Sequence, residues 1–144
     1  MRTVLKGVDT LFLLNAVASD EVTQALGTLD LAREVGIQRI VYFSVFNSAL
    51  FDDVPHFAGK YLVERVIDAQ AIPATVLRPA YFMQNDLMFR DALRAGIYLW
   101  PIGDVGVTMV DIRDIADAVV AELLRRERPI RCPAPQSSLS VPTR

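Results

Sequence analysis

The sequence predicts an α/β domain built on a parallel sheet. Three short apolar or β-branched runs, at residues 8–14, 39–45 and 74–78, are separated by two stretches with helical periodicity. The connections between the runs are about 25–30 residues long, which suits a strand–helix–strand crossover. The runs are nearly unbroken rather than alternating, as in strands covered on both faces.

Each element follows from local chemistry. Gly7 reads as a helix stop, so residues 1–6 are expected to be the last turn of a helix. Residues 8–14 then form the first strand. Ser19 and Asp20 can cap the next helix, and Glu21 in its first turn suits the dipole. Val22, Ala25, Leu26, Leu29 and Ala32 follow at helical spacing, and Gly36 ends the run. Gly27 costs about 1 kcal/mol relative to Ala inside a helix, so a close packing contact is expected there. Residues 39–45 form the second strand and 46–55 a loop. A second helix is expected over 56–70, with Ala58, Leu62 and Val66 one turn apart and Pro73 blocking its continuation. Residues 74–78 form the third strand, ended by Pro79. A third helix is expected over 82–95, a short strand over 107–110, and a last helix from Asp111 carrying Ile112, Ile115, Ala116, Val119, Val120 and Leu123. Residues 127–144 hold four prolines and no apolar period, so a disordered tail is expected after a domain spanning 1–126.

Composition narrows the chemistry. Apolar residues make up 52% and charged residues 22%, a globular balance. A formal charge of −2 argues against non-specific nucleic-acid binding, which needs a clustered positive surface. One Cys excludes an internal disulfide and a Cys-rich zinc site, and with a single His no metal site is expected. No apolar run approaches the ~18–20 residues of a membrane span, and no signal-peptide core follows Met1, so a cytoplasmic protein with no membrane partner is expected.

In open parallel sheets, ligands bind outside the carboxyl ends of the strands. That rule gathers Asn15, Ser44, Tyr81 and Asn85 on one edge although they lie far apart in sequence.

Five segments carry a family resemblance: residues 7–14 (GVDTLFLL), 41–44 (VYFS), 56–60 (HFAGK), 77–85 (LRPAYFMQN) and 110–116 (VDIRDIA). In this order and spacing they resemble the NmrA-like branch of the atypical short-chain dehydrogenases/reductases, over roughly residues 4–126. The resemblance implies a Rossmann-like, doubly wound parallel sheet that binds NAD or NADP. It implies an NAD(P)H-dependent oxidoreductase or a redox-sensing regulator acting on an unidentified small molecule. The family opens with a strand and a GxxGxxG turn for the pyrophosphate, and none of the seven glycines here forms that turn. The chain is therefore expected to be the carboxyl-terminal part of such a domain, with the first mononucleotide-binding half missing and dinucleotide binding weak. The alternative is a truncated, non-catalytic remnant or interaction protein. Missing sheet neighbours leave the apolar edge at residues 8–14 free, so self-association through that edge is expected.

The resemblance also assigns roles. Dehydrogenases of the superfamily use a YxxxK pattern; here His56 stands in the Tyr position ahead of Lys60. Lys60 would bind the nicotinamide ribose hydroxyls; the alternative is a solvated surface lysine. His56 could donate a proton in place of Tyr, or simply sit at a helix start. Ser44 could bind the cofactor or a substrate carbonyl, or be a satisfied strand-end serine; no GxSxG elbow makes it a hydrolase nucleophile. The expected catalytic set is thus His56, Lys60 and Ser44. The expected cofactor set is Asn15, Lys60, Pro79, Tyr81 and Asn85. Phe82 is expected in the core, Asp111 and Asp114 at a helix start, Trp100 over the cleft or in local packing, and Cys132 as a bystander in the tail.

Overall fold

The computed structural model describes residues 3–100, 103, 106–125 and 127. Strands β1 (Thr10–Leu13), β2 (Arg39–Phe43) and β3 (Ala74–Leu77) pair in parallel in the order β1–β2–β3. Leu11 stands opposite Ile40, and Ile40 opposite Ala74. Helices α1 (Glu21–Val35) and α2 (Pro55–Ala69) make the two crossovers.

Successive strand residues point to opposite faces, so the two faces have different company. Leu13, Ile40, Tyr42 and Ala74 join Ala25, Leu29 and Ala32 of α1 and Val63 and Ile67 of α2 in one buried cluster. On the other face lies helix α4 (Ile112–Leu124), packed on β1 and β2. Polar ties fix it there. Arg39 Nη2 donates to Leu123 O at 3.0 Å and to Thr10 Oγ1 at 3.0 Å, and Thr75 Oγ1 donates to Glu122 Oε2 at 3.0 Å. The sheet is thus covered on both faces, as the unbroken apolar runs imply. The outer edge of β1 pairs with no strand among the described residues.

Several elements differ from expectation. Residues 3–7 form a turn, not the end of a helix, although Gly7 does take a left-handed φ of 79°. Gly36 ends α1 as expected, at φ 82°. The three strands are shorter than their apolar runs. The expected helix over 82–95 is broken into β4 (Tyr81–Phe82), a 3-10 helix (Met83–Phe89) and α3 (Arg90–Arg94). The cause is tertiary: Tyr81 and Phe82 are recruited into parallel pairing with β5 (Met109–Val110), some 28 residues later. Asp111 caps α4 as expected, its side chain accepting from the Arg113 N–H at 2.8 Å. Arg113 hydrogen bonds hold that carboxyl well below the usual range. Residues 128–144, with Cys132, lie outside the described residues.

The two interior helix glycines exchange roles. A Cβ on Gly27 would meet nothing within 4 Å, so no close contact explains it. A Cβ on Gly59 would come within 3.0 Å of Val22 Cγ2, where α2 crosses α1. Gly27→Ala should therefore gain the full helix-propensity difference, about 0.5–1 kcal/mol. Gly59→Ala should gain less, because Val22 must shift; urea unfolding midpoints of the two variants test the contrast.

No helix among the described residues is long and apolar enough to cross a membrane, and no group of three His, Cys, Asp or Glu among them could hold a metal ion.

Candidate functional site

The carboxyl ends of β1, β2 and β3 open into a cavity of about 760 Å³. All seven candidate residues line it: Asn15 after β1, Ser44 after β2, His56 and Lys60 on α2, and Pro79, Tyr81 and Asn85 after β3. The strand-end rule and the resemblance thus converge on one place. Much of the remaining wall is aromatic, with Phe43, Phe46, Phe51, Phe57 and Phe82 among the lining side chains.

Lys60 is not a solvated surface lysine. Its side chain is 3% exposed, and its Nζ has no hydrogen-bond partner. The nearest carboxylate oxygen is Glu21 Oε1, at 3.7 Å, and the ammonium lies 5.5 Å from the centre of the Tyr42 ring. Burial pushes the Lys60 pKa down, and Glu21 opposes that shift only in part. The same burial, with Glu21 and Glu64 nearby, pushes the Tyr42 phenol far up, so it stays neutral.

His56 lies one helical turn before Lys60, and its Nδ1 is 3.0 Å from Glu21 Oε2. One carboxylate therefore meets both residues of the expected His-Lys pair. Asn15 places a buried side-chain oxygen, Oδ1, that has no partner.

Ser44 is deeply buried, and its hydroxyl donates to Glu64 Oε1. Ser48 Oγ donates to the same oxygen at 3.1 Å. Arg78 donates to Glu64 Oε2 through Nε at 2.9 Å and Nη2 at 2.7 Å. This network joins the ends of β2 and β3 to α2 beneath the cavity.

Tyr81 donates its hydroxyl to Asp86 Oδ1 at 2.9 Å. Desolvation, then this hydrogen bond, raises its pKa. Its ring packs edge-on against Trp100, which also meets Phe89. Trp100 thus serves local packing. Phe82 is half-buried: it meets the Phe43 ring at 6.2 Å but also lines the cavity, so it is not purely core.

Sequence reasoning missed Glu21, Glu64 and Asp86. Glu21 reads as an ordinary first-turn acid. A usable signal existed for Glu64: it lies one turn after Lys60, so the two charges share one helix stripe. Nothing local points Glu21 at His56.

Comparisons with known proteins bear on family and fold. The chain is 30% identical over 124 residues to an NAD(P)H azoreductase of Xenophilus azovorans, covering 84% of this chain and 43% of the relative. It is 29% identical over 121 residues to a (4-alkanoyl-5-oxo-2,5-dihydrofuran-3-yl)methyl phosphate reductase of Streptomyces griseus, covering 83% and 42%. The chain therefore spans less than half the length of these relatives. Its fold is similar to that of the NADPH-dependent quinone oxidoreductase QOR2 of Escherichia coli, solved with NADPH (TM-score 0.78, 20% identity, 88% of this chain and 45% of that one). It is also similar to the triphenylmethane reductase of Citrobacter sp., solved with NADP(H) (TM-score 0.75, 21% identity, 88% and 46%). The family match extends over residues 1–134, and the chain belongs to the NmrA-like family.

Proposed function

We propose that the cavity is the nicotinamide-side part of an NAD(P)H-dependent reductase site that takes a flat, conjugated acceptor. The observation that carries this is a pair of unsatisfied polar atoms, Lys60 Nζ and Asn15 Oδ1, in side chains of one cavity whose wall includes five phenylalanines. Burying a cation without a hydrogen-bond partner costs several kcal/mol. Such a group is retained where a ligand completes it.

The residues present fit one end of the cofactor. The Lys60 ammonium can donate to ribose hydroxyls, and Asn15 Oδ1 can accept from a hydroxyl or an amide N–H. None of the glycines present forms a pyrophosphate turn, and these residues would hold the dinucleotide at its nicotinamide side. A bound NAD(P)H supplies the hydride. The aromatic wall excludes water and stacks on a planar acceptor, and His56 supplies the proton. The relatives named for azo, quinone and triphenylmethane reduction support a conjugated acceptor.

NADPH titrated into the 144-residue chain, followed by calorimetry and NMR, should bind at about the millimolar level and perturb the cavity residues. Lys60→Ala should weaken that binding about tenfold, by loss of a hydrogen bond to a charged group. His56→Ala should leave it unchanged. Binding indifferent to Lys60→Ala would sink the assignment, and micromolar affinity would show that the glycine turn is dispensable.

A further inference from the structure

We propose that Glu21 is a positioning residue of this site, one that fixes His56 as its Nδ1–H tautomer and leaves Nε2 as the ring atom that exchanges protons. This rests on the reductase reading above for its purpose, though not for its geometry.

An acid in the first turn of a helix ordinarily faces solvent, where it complements the dipole. Glu21 instead is 6% exposed, and a glutamate is almost never that buried unless it is paired. Its partners are on α2. Gly59 permits the approach: a Cβ there would meet Val22 Cγ2 at 3.0 Å and Glu21 Oε1 at 3.7 Å. His56 and Lys60 are one turn apart on α2, so the two oxygens of a single carboxylate reach both. Oε2 lies 3.0 Å from His56 Nδ1, and Oε1 lies 3.7 Å from Lys60 Nζ.

An ionised carboxylate only accepts hydrogen bonds, so Nδ1 must carry the hydrogen. The neutral ring then holds its lone pair on Nε2, and the protonated ring donates from Nε2. For a two-electron reduction the balance is simple. The acceptor takes a hydride from NAD(P)H and a proton from His56 Nε2; the imidazolium becomes neutral imidazole and keeps its Nδ1–H on Glu21. The His56 side chain is 28% exposed, so solvent can return the proton. Without Glu21 the neutral ring would revert to the Nε2–H tautomer that imidazole favours in water, and would hold its free lone pair on the wrong atom.

His56 is the only histidine in the chain, so its ring nitrogens are read without ambiguity. In a ¹⁵N-labelled chain at alkaline pH, long-range proton–nitrogen correlation should show Nδ1 protonated and Nε2 bare. Glu21→Ala should invert that pattern, whereas Glu21→Gln, whose side-chain carbonyl can accept the same hydrogen, should preserve it. A wild-type ring in the Nε2–H form, or a pattern unmoved by Glu21→Ala, would overturn the proposal; the wild-type spectrum decides even if a variant fails to fold. The Nδ1–H tautomer in a chain whose NADPH binding ignores Lys60→Ala would overturn the reductase reading and leave the Glu21 assignment standing. The opposite pair of results would overturn the Glu21 assignment alone.

Discussion

Arg78→Met should destabilise the domain by about 3–5 kcal/mol, the usual loss when one partner of a buried ion pair is removed. Glu64 is 1% exposed, and Arg78 supplies both N–H groups that satisfy Oε2. Methionine fills similar space but leaves a buried carboxylate without its cation. Ser44 and Ser48 remain on Oε1 and cannot neutralise it. Arg78→Lys should recover only part of the loss, because one ammonium does not reproduce the guanidinium's two directed N–H groups. The double variant Glu64→Gln with Arg78→Met should be more stable than Arg78→Met alone, because the amide is neutral yet still accepts from both serines. Urea unfolding midpoints give all three comparisons. Equal midpoints for the single and double variants would show that the buried charge is not the cause.

Lys60→Met should have the opposite sign and stabilise the chain by about 1 kcal/mol, the low end of the penalty for a buried polar group left without a hydrogen bond, because Lys60 Nζ, unlike Arg78, has none. The gain is limited because Glu21 keeps only His56 as a partner. The same variant should lose the Lys60-dependent part of NADPH binding, a trade of function for stability. Its pH dependence is distinctive. The folded-state pKa of Lys60 lies below its ordinary value of 10.5, because burial disfavours the ammonium. Between those two values the unfolded chain binds more protons than the folded one, so wild-type stability rises with pH. The advantage of Lys60→Met should therefore be largest near neutral pH and shrink as pH approaches 10.5. A midpoint difference that stays constant over that range would refute the burial account.

Both predictions concern charges on α2, which is where sequence and structure diverge most instructively. The apolar residues Ala58, Leu62 and Val66 mark one stripe of that helix, and the obvious reading makes it the buried one. Leu62 is in fact 49% exposed. The buried stripe runs through Gly59, Lys60, Val63, Glu64 and Ile67. A hydrophobic pattern fails here because two positions of the inward face carry charges. Glu64 is satisfied by Arg78 and two serines; Lys60 is left to a carboxylate at 3.7 Å.

Where the inward face is apolar, the sequence is a sufficient guide. Ala25, Leu29 and Ala32 lie against the sheet as their spacing implies. The three unbroken runs pair in parallel in sequence order, and the strand ends bring Asn15, Ser44, Tyr81 and Asn85 to one cavity. These features are local or follow from chain topology: side-chain periodicity sets the buried face, and crossover handedness sets strand order. Tertiary structure alone decided the rest. It split the expected helix over 82–95 by pairing Tyr81 and Phe82 with Met109 and Val110. It turned Glu21 from a helix-start acid into the shared partner of His56 and Lys60, and it committed the Ser44 hydroxyl to Glu64. Each of these depends on contacts between residues 20 to 40 positions apart, and a charged side chain carries no sequence period that says whether water or a buried partner will satisfy it.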